Sequence, residues 1–269
     1  MFVDSHCHIN FPELYARLPE LLRTMAQNQV THALCAGVHL PEFPRIREIA
    51  ERYPNIYASV GVHPNYRKTV EPDVKTLVKL ADHPKVVAIG EAGLDYYRHQ
   101  GDLDWQRQRF RIQIRAAKEC GKPLIIHARQ AREDALRIMR EEGAGLDKGG
   151  PGGVMHCFTD TLEMAEAAMD MGFYISFSGV VTYKATRELQ EVARQIPLER
   201  MLIETDAPYL SPEPNRGKDN EPANVRLVAK RIAELKKIPI NRVGKQTSDN
   251  FFELFKIARA TQAVQSAQA

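Results

Sequence analysis

The sequence predicts an α/β protein of the (β/α)8 TIM barrel class, and three observations point there. Eight short, mostly apolar and β-branched runs recur along the chain, each of strand length. Stretches with helical periodicity lie between them. Polar and ionisable residues gather at the C-terminal ends of the runs, which is where a parallel barrel carries its chemistry.

The predicted strands are Phe2–His8, Thr31–Gly37, Ile56–Val62, Val86–Glu91, Leu124–Ala128, Val154–Phe158, Phe173–Ser178 and Met201–Asp206. Their near-continuous apolar character fits strands of a parallel sheet covered on both faces. After the first strand, Leu14, Leu18, Leu21, Leu22 and Met25 fall on one helical face. Phe110, Ile114 and Ala117 repeat that pattern before the fifth strand, and Met164, Ala168 and Met171 repeat it before the seventh. Val225, Val228, Ile232 and Leu235 do so after the eighth. The spacing of strand starts matches a strand plus its crossover helix. An open doubly wound sheet has the same local signature. Closure is favoured because polar groups end strands 1, 4, 5, 6 and 8, and a barrel brings those ends around one mouth. One barrel domain is expected over residues 1–258. The tail 259–269 loses its amphipathic pattern and is expected to fray.

The chain has 269 residues, with 37 Lys and Arg against 34 Asp and Glu, for a net charge of +3. At 43% hydrophobic and 26% charged, its composition is that of an ordinary soluble globular protein. So small a net charge falls well short of what would announce a nucleic-acid coat protein, and any contact with nucleic acid must come from a local patch. The opening Met1-Phe2-Val3-Asp4 has no basic region or apolar stretch of a secretory signal. No apolar run approaches the ~18–20 residues of a membrane span. Cys7, Cys35, Cys120 and Cys157 form no C-x-x-C pair. A reduced, cytoplasmic protein without membrane contact is expected, a monomer with no obligate protein partner.

The strand ends carry unusual residues. Strand 1 ends Asp4-Ser5-His6-Cys7-His8, strand 3 runs into His63-Pro64, and strand 4 ends Glu91-Ala92-Gly93-Leu94-Asp95. Strand 5 ends His127-Ala128-Arg129, strand 6 His156-Cys157-Phe158, and strand 8 Glu204-Thr205-Asp206. Side chains two apart on a strand share a face. His6 and His8 should therefore point together, with Cys7 turned toward the helices. Glu204 and Asp206 form a second such pair, and Cys157 should face away from His156. A lone strand-end histidine is commonly a packed, hydrogen-bonded one. His32, at the start of its strand, and His83, before one, belong to the opposite, stabilising end, while His39 and His99 fall in surface loops. His6, His8, His127 and His156 are different, because with Glu91 and Asp206 they all reach the functional end. Imidazole plus carboxylate is the ligand set of Zn²⁺, Mn²⁺ and related divalent cations, and a carboxylate can bridge two of them.

Seven segments in order carry a resemblance: FVDSHCHIN (2–10), SVGVHP (59–64), IGEAGLDYY (89–97), PLIIHARQAREDAL (123–136), GVMHCFT (153–159), ISFSG (175–179) and LIETDAPYL (202–210). Together they strongly resemble the TatD family of metal-dependent hydrolases, especially its YcfH-like branch. The resemblance covers Phe2 to about Phe255. It implies a TIM barrel related to the amidohydrolases and divalent-metal-dependent hydrolysis of DNA phosphodiesters, in some members as a 3′→5′ exonuclease. It also implies that His6, His8, Glu91, His127, His156 and Asp206 are the metal ligands. Two departures are expected to leave the chemistry untouched: the glycine-rich stretch 143–153 and Met201, where the family usually has Leu.

On this reading Glu91 bridges two divalent cations (Mg²⁺, Mn²⁺ or Zn²⁺). His6, His8 and Asp206 hold one, and His127 and His156 the other. Asp206 doubles as the group that orients or deprotonates the attacking water, and Glu204 orients a ligand from behind. His63 is the candidate catalytic or phosphate-contacting group outside the ligand set. Arg129 shares a face with His127 and suits a phosphate. Asn215, Arg216 and Lys218 in the loop after strand 8, with Arg67 and Lys68, would complete a cationic patch for a DNA single strand or 3′ end. Tyr66, Tyr96, Tyr97, Phe158, Tyr183 and Tyr209 are placed to stack on bases; Arg98 and Arg107 are read as solvated charges. Two other readings use the same residues: a binuclear hydrolase of a small ester, lactone or amide, and a non-catalytic metal or nucleic-acid binding module. Many amidohydrolases bridge their metals with a carboxylated lysine at the end of strand 4, where this chain has Glu91. An open, ligand-rich mouth is unlike a structural metal site, which is usually closed.

Overall fold

The computed structural model of the chain describes residues 1–256 and 258, so the expectation for the tail 259–269 lies outside the described residues. Eight strands follow in order: β1 (Phe2–Cys7), β2 (Val30–Cys35), β3 (Ile56–Val60), β4 (Val86–Asp95), β5 (Leu124–Arg129), β6 (Gly153–Met155), β7 (Phe173–Phe177) and β8 (Met201–Ile203). Each pairs in parallel with the next, β1 through β8. The seam between β1 and β8 is bridged above the ladders, where Asp206 N donates to His6 O (2.9 Å) and His8 N to Ala207 O (2.8 Å). The result is a nearly closed barrel.

Both faces of the strands are buried, as their apolar runs require. The outer faces pack against helices such as Leu18–Gln27, Asp104–Cys120, Leu162–Asp170 and Val225–Lys236. Leu14 and Met25, expected on one helix, lie on two, because Pro19 opens the second at its first turn. Inside the barrel the side chains change character with height. Val3, Leu34, Tyr57, Ile125, Val154 and Leu202 fill the base, which Phe251, Phe252 and Phe255 plug from below. Above them sits a hydroxyl layer, with Ser5 Oγ 3.2 Å from Ser176 Oγ and Ser59 Oγ donating to Gly90 O at 2.7 Å. Histidines and carboxylates form the top.

Three strand ends differ from expectation by three residues or more, the others by one or two. β4 runs past Glu91 to Asp95, which needs Gly93: at φ 134° it lies so close to His127 O that any Cβ would collide. β6 stops at Met155 and β8 at Ile203, short of Phe158 and Asp206. Cys157 (φ 45°) and Asp206 (φ 57°) adopt left-handed backbone, which a ladder cannot continue. Simple alternation therefore fails there, and Cys157, expected to face away from His156, lines the same cavity.

Candidate metal centre

Glu91 stands at the centre of the mouth, held by its own backbone: Glu91 N donates to Gly37 O at 2.6 Å. Its two carboxylate oxygens face different partners. Oε1 lies 2.7 Å from His156 Nε2 and 3.2 Å from both His127 Nδ1 and His63 Nε2. Oε2 lies 3.4 Å from His6 Nε2 and 4.0 Å from His8 Nε2. Asp206 Oδ1 approaches the same two nitrogens, at 3.6 and 3.3 Å. His6 and His8 do point together, their Nε2 atoms 3.3 Å apart. That pairing is as alternation predicts, but counting from the inward Val3 and Ser5 would turn both histidines outward; a register shift between Asp4 and Cys7 bulges β1 and brings them inward. Cys7 packs among the outer, helix-covered residues as expected.

The far nitrogen of each ring decides what its near nitrogen offers. His8 Nδ1 lies 3.3 Å from Ala36 O, His127 Nε2 lies 3.2 Å from Asp95, and His156 Nδ1 lies 3.1 Å from Glu204. All three partners are acceptors, so in the neutral rings those nitrogens carry the hydrogen and the near ones turn a lone pair inward. His63 is reversed. Its Nδ1 accepts the backbone N–H of Asn65 at 3.0 Å, which leaves the neutral ring's hydrogen on Nε2, facing Glu91. His63 lies near enough to Glu91 and His127 to join a cation, but this tautomer makes it a donor.

Inward lone pairs beside buried carboxylates repel one another unless positive charge lies between them. The donor set therefore fits divalent cations. Three overlapping groups lie close enough to share one: His6, His156 and Asp206; His6, His8 and Glu91; His63, Glu91 and His127. Burial alone would raise the Glu91 pKa, but the fields of His156 and His63 and the His127 hydrogen bond hold it well below the usual range. Burial also pushes His156 down, and Glu91 and Glu204 more than offset this, so it is raised.

Above the cluster opens a cavity of about 590 Å³. His8, His63, Glu91, His127, His156 and Asp206 line it, and so do Arg129 and Tyr209. Asn215 and Arg216 do not. Their loop folds back on the barrel, so Asn215 donates to Asn224 (3.2 Å) and Arg216 lies over the Tyr183 ring (4.3 Å). Arg67 and Lys68 are exposed outside the lining, while Arg98, read as a solvated charge, is part of it. Arg107 is engaged with Asp102, Asp104 and the Tyr96 hydroxyl. Of the six aromatics placed near the mouth, Tyr66 and Tyr209 line the cavity. Phe11, passed over in the sequence, stacks on His8 (4.9 Å between centroids) and lines it as well. Asp95, which the sequence places at the end of strand 4 without a role, shares a face with Glu91 by its spacing along the strand.

Among the described residues no helix is long and apolar enough to cross a membrane. Comparison with known proteins finds a family profile described as TatD related DNase matching residues 3–256. The chain is 42% identical to the uncharacterised metal-dependent hydrolase YabD of Bacillus subtilis, covering 96% of this chain and 100% of the relative. It is equally similar, 42%, to the uncharacterised metal-dependent hydrolase YcfH of Escherichia coli K12, covering 95% and 96%. Among solved structures, the TatD homologue YjjV of E. coli K12 superposes with a TM-score of 0.85 at 27% identity, covering 95% of this chain and 98% of that one.

Proposed function

The chain belongs to the TatD-related family of metal-dependent hydrolases, and from that premise we propose that it is a deoxyribonuclease, hydrolysing DNA phosphodiesters from the 3′ end of a single strand. The observation that carries the reading is the division of Glu91. Oε1 faces His127, His156 and His63 and Oε2 faces His6 and His8, so Glu91 with the ligand histidines and Asp206 would hold divalent cations. When bound, such cations supply Lewis acidity, acidifying a water and neutralising charge on phosphoryl oxygens.

The residues of the chain account for the rest. Asp206 has a side chain 15% exposed where Glu91 has 3%, so of the two carboxylates lining the cavity it is the more open. It orients the attacking water and takes its proton. The new bond joins water oxygen to phosphorus, and the bond to the departing nucleoside oxygen breaks. His63 Nε2–H faces the site as a hydrogen-bond donor that stabilises charge on that oxygen, which takes up its proton from solvent. Arg129 and Arg98, at the rim of the cavity, meet the flanking phosphates. Asp95 and Glu204 hold the His127 and His156 rings in orientation.

The test is a screen of protein stripped of metal and reloaded with Mg²⁺, Mn²⁺ or Zn²⁺, on single-stranded DNA, RNA and small esters and lactones. Shortening of DNA from the 3′ end, lost in Glu91→Ala, is expected. Turnover of a lactone or ester with intact DNA would overturn the reading in favour of a small-metabolite hydrolase.

A further inference from the structure

The cavity over Glu91 has a second space joined to it. Ala128, Arg129, Thr159 and Val180 line the cavity and also the head of a groove of about 1220 Å³. That groove leaves the mouth past the ends of β5 to β7, passes the first turn of the helix Leu162–Asp170 and runs the length of the helix Arg187–Gln195. We propose that it is the track for the rest of a single polynucleotide strand whose end lies at Glu91. This rests on the deoxyribonuclease reading and deepens it.

Four features favour a phosphodiester chain here. Continuity comes first: the cavity is of small-ligand size, so a longer strand must leave it, and the groove begins at residues the cavity already uses. On the opposite side of the mouth, Phe11 and Tyr209 meet edge to face (6.2 Å) and form an aromatic wall. The threshold is cationic and aromatic, with the Arg129 guanidinium 3.9 Å above the exposed ring of Tyr97. Farther along, Lys184 and Arg187 are exposed, and among the described residues neither lies within ion-pair distance of a carboxylate. The groove also holds acids. Asp160 is spent on Arg132 and Glu191 on Arg194, which leaves Glu163 and Glu188 against Arg129, Lys184 and Arg187. Both acids lie in helix first turns, where the macrodipole offsets their charge.

The test compares metal-loaded parent protein with the double variant Lys184→Ala/Arg187→Ala on oligothymidylates from dT2 to dT8. In the parent, KM should fall about tenfold or more as the strand lengthens. The variant should lose most of that gain on dT8 while its kcat and KM on dT2 stay within about twofold. A parent without length dependence, or a variant that keeps it, would overturn the track. A second arm does not depend on catalysis: fluorescence anisotropy with a labelled, phosphorothioate-linked dT8 across a salt series. For a single strand the slope of log K against log salt is about 0.7 per phosphate contact, so the variant's slope should be shallower by about 1.4. Equal slopes refute the groove. If no oligonucleotide is cut by the parent, the deoxyribonuclease reading fails, while the anisotropy result still decides whether this surface holds a strand.

Discussion

The Asp95 carboxylate lies 3.2 Å from Nε2 of His127, the nitrogen remote from Glu91. Asp95 is itself pinned, accepting from Asn65 Nδ2 and from the backbone N–H groups of Tyr97 and Arg98. Burial would raise its pKa, but the His127 hydrogen bond and charge, with those donors, hold it well below the usual carboxylate range. A firmly ionised acceptor behind His127 fixes the ring's tautomer and strengthens the nitrogen that faces Glu91. Asp95→Asn should therefore weaken affinity for the divalent cation about 10–100-fold, with a smaller loss of kcat once metal is saturating. Calorimetric metal titration measures it, and unchanged affinity would show that Asp95 only packs.

His63 separates holding metal from stabilising charge on the departing oxygen. Because Asn65 N–H occupies Nδ1, the ring offers a hydrogen, not a lone pair. His63→Gln should leave metal stoichiometry unchanged and lower kcat by about 10²–10³. Metal content by elemental analysis, read beside the kinetics, gives the answer. Loss of one bound ion per chain in this variant would make His63 a ligand and reverse the tautomer argument.

Glu91 is the residue both halves of the cluster depend on. Glu91→Gln removes the buried negative charge that the oxygens present to His6 and His156. Bound metal normally stabilises the native state by mass action, so the parent's melting temperature should rise on adding Mn²⁺. That rise should largely vanish in the variant. An equal rise in both proteins would mean that the ions bind elsewhere.

The parts of this picture legible in the sequence are those that depend on local pattern. Apolar runs gave the eight strands, and residue type at strand ends gave His6, His8, Glu91, His127, His156 and Asp206. Two kinds of information were hidden. The first is backbone that leaves the regular path: the bulge in β1 and the left-handed Cys157 and Asp206 break alternation, so Cys157 turned out to line the cavity. The second is how loops fold back. Arg216 and Arg98 look alike in sequence, yet one ends over Tyr183 and the other lines the cavity. Nothing local distinguishes them, because the Asn220 amide that ties the Arg216 loop bonds Thr205 O and Tyr209 O on distant backbone.

Arg109 shows the same limit at a buried charge. It looks like one more cation on a charged helix, yet it is 1% exposed. It donates to the Glu71 carboxylate and, at 3.1 Å, to the carbonyl of His63, and it lies over Trp105. It thus straps the loop carrying His63, Asn65 and Tyr66 to the helix Asp104–Cys120. Arg109→Met keeps much of the apolar stem but strands Glu71 and the carbonyl. Breaking a buried pair on one side typically costs about 3–5 kcal/mol, and with Glu71 half-exposed the lower end is expected. Urea unfolding measures the loss; a change below about 0.5 kcal/mol would remove the strap from the account.

The base of the barrel offers a pH test remote from the metal cluster. His32 stacks on Tyr57 at 6.0 Å and meets Phe252 edge-on at 5.2 Å, with Thr31 Oγ1 2.9 Å from its Nδ1. Burial, and secondly the charge of Lys85, hold its pKa down to about 4. In the unfolded chain the value returns to about 6.5. Between those limits the unfolded state binds the proton and the folded state refuses it, so His32 costs stability as pH falls from about 6.5 toward 4. His32→Phe keeps the ring and removes the titration. The parent should therefore lose more melting temperature than His32→Phe between pH 7.5 and pH 5, by a few degrees. Carboxylates elsewhere titrate alike in both proteins and cancel in the difference. Parallel pH profiles would mean that His32 is protonated in the folded barrel as readily as in the open chain.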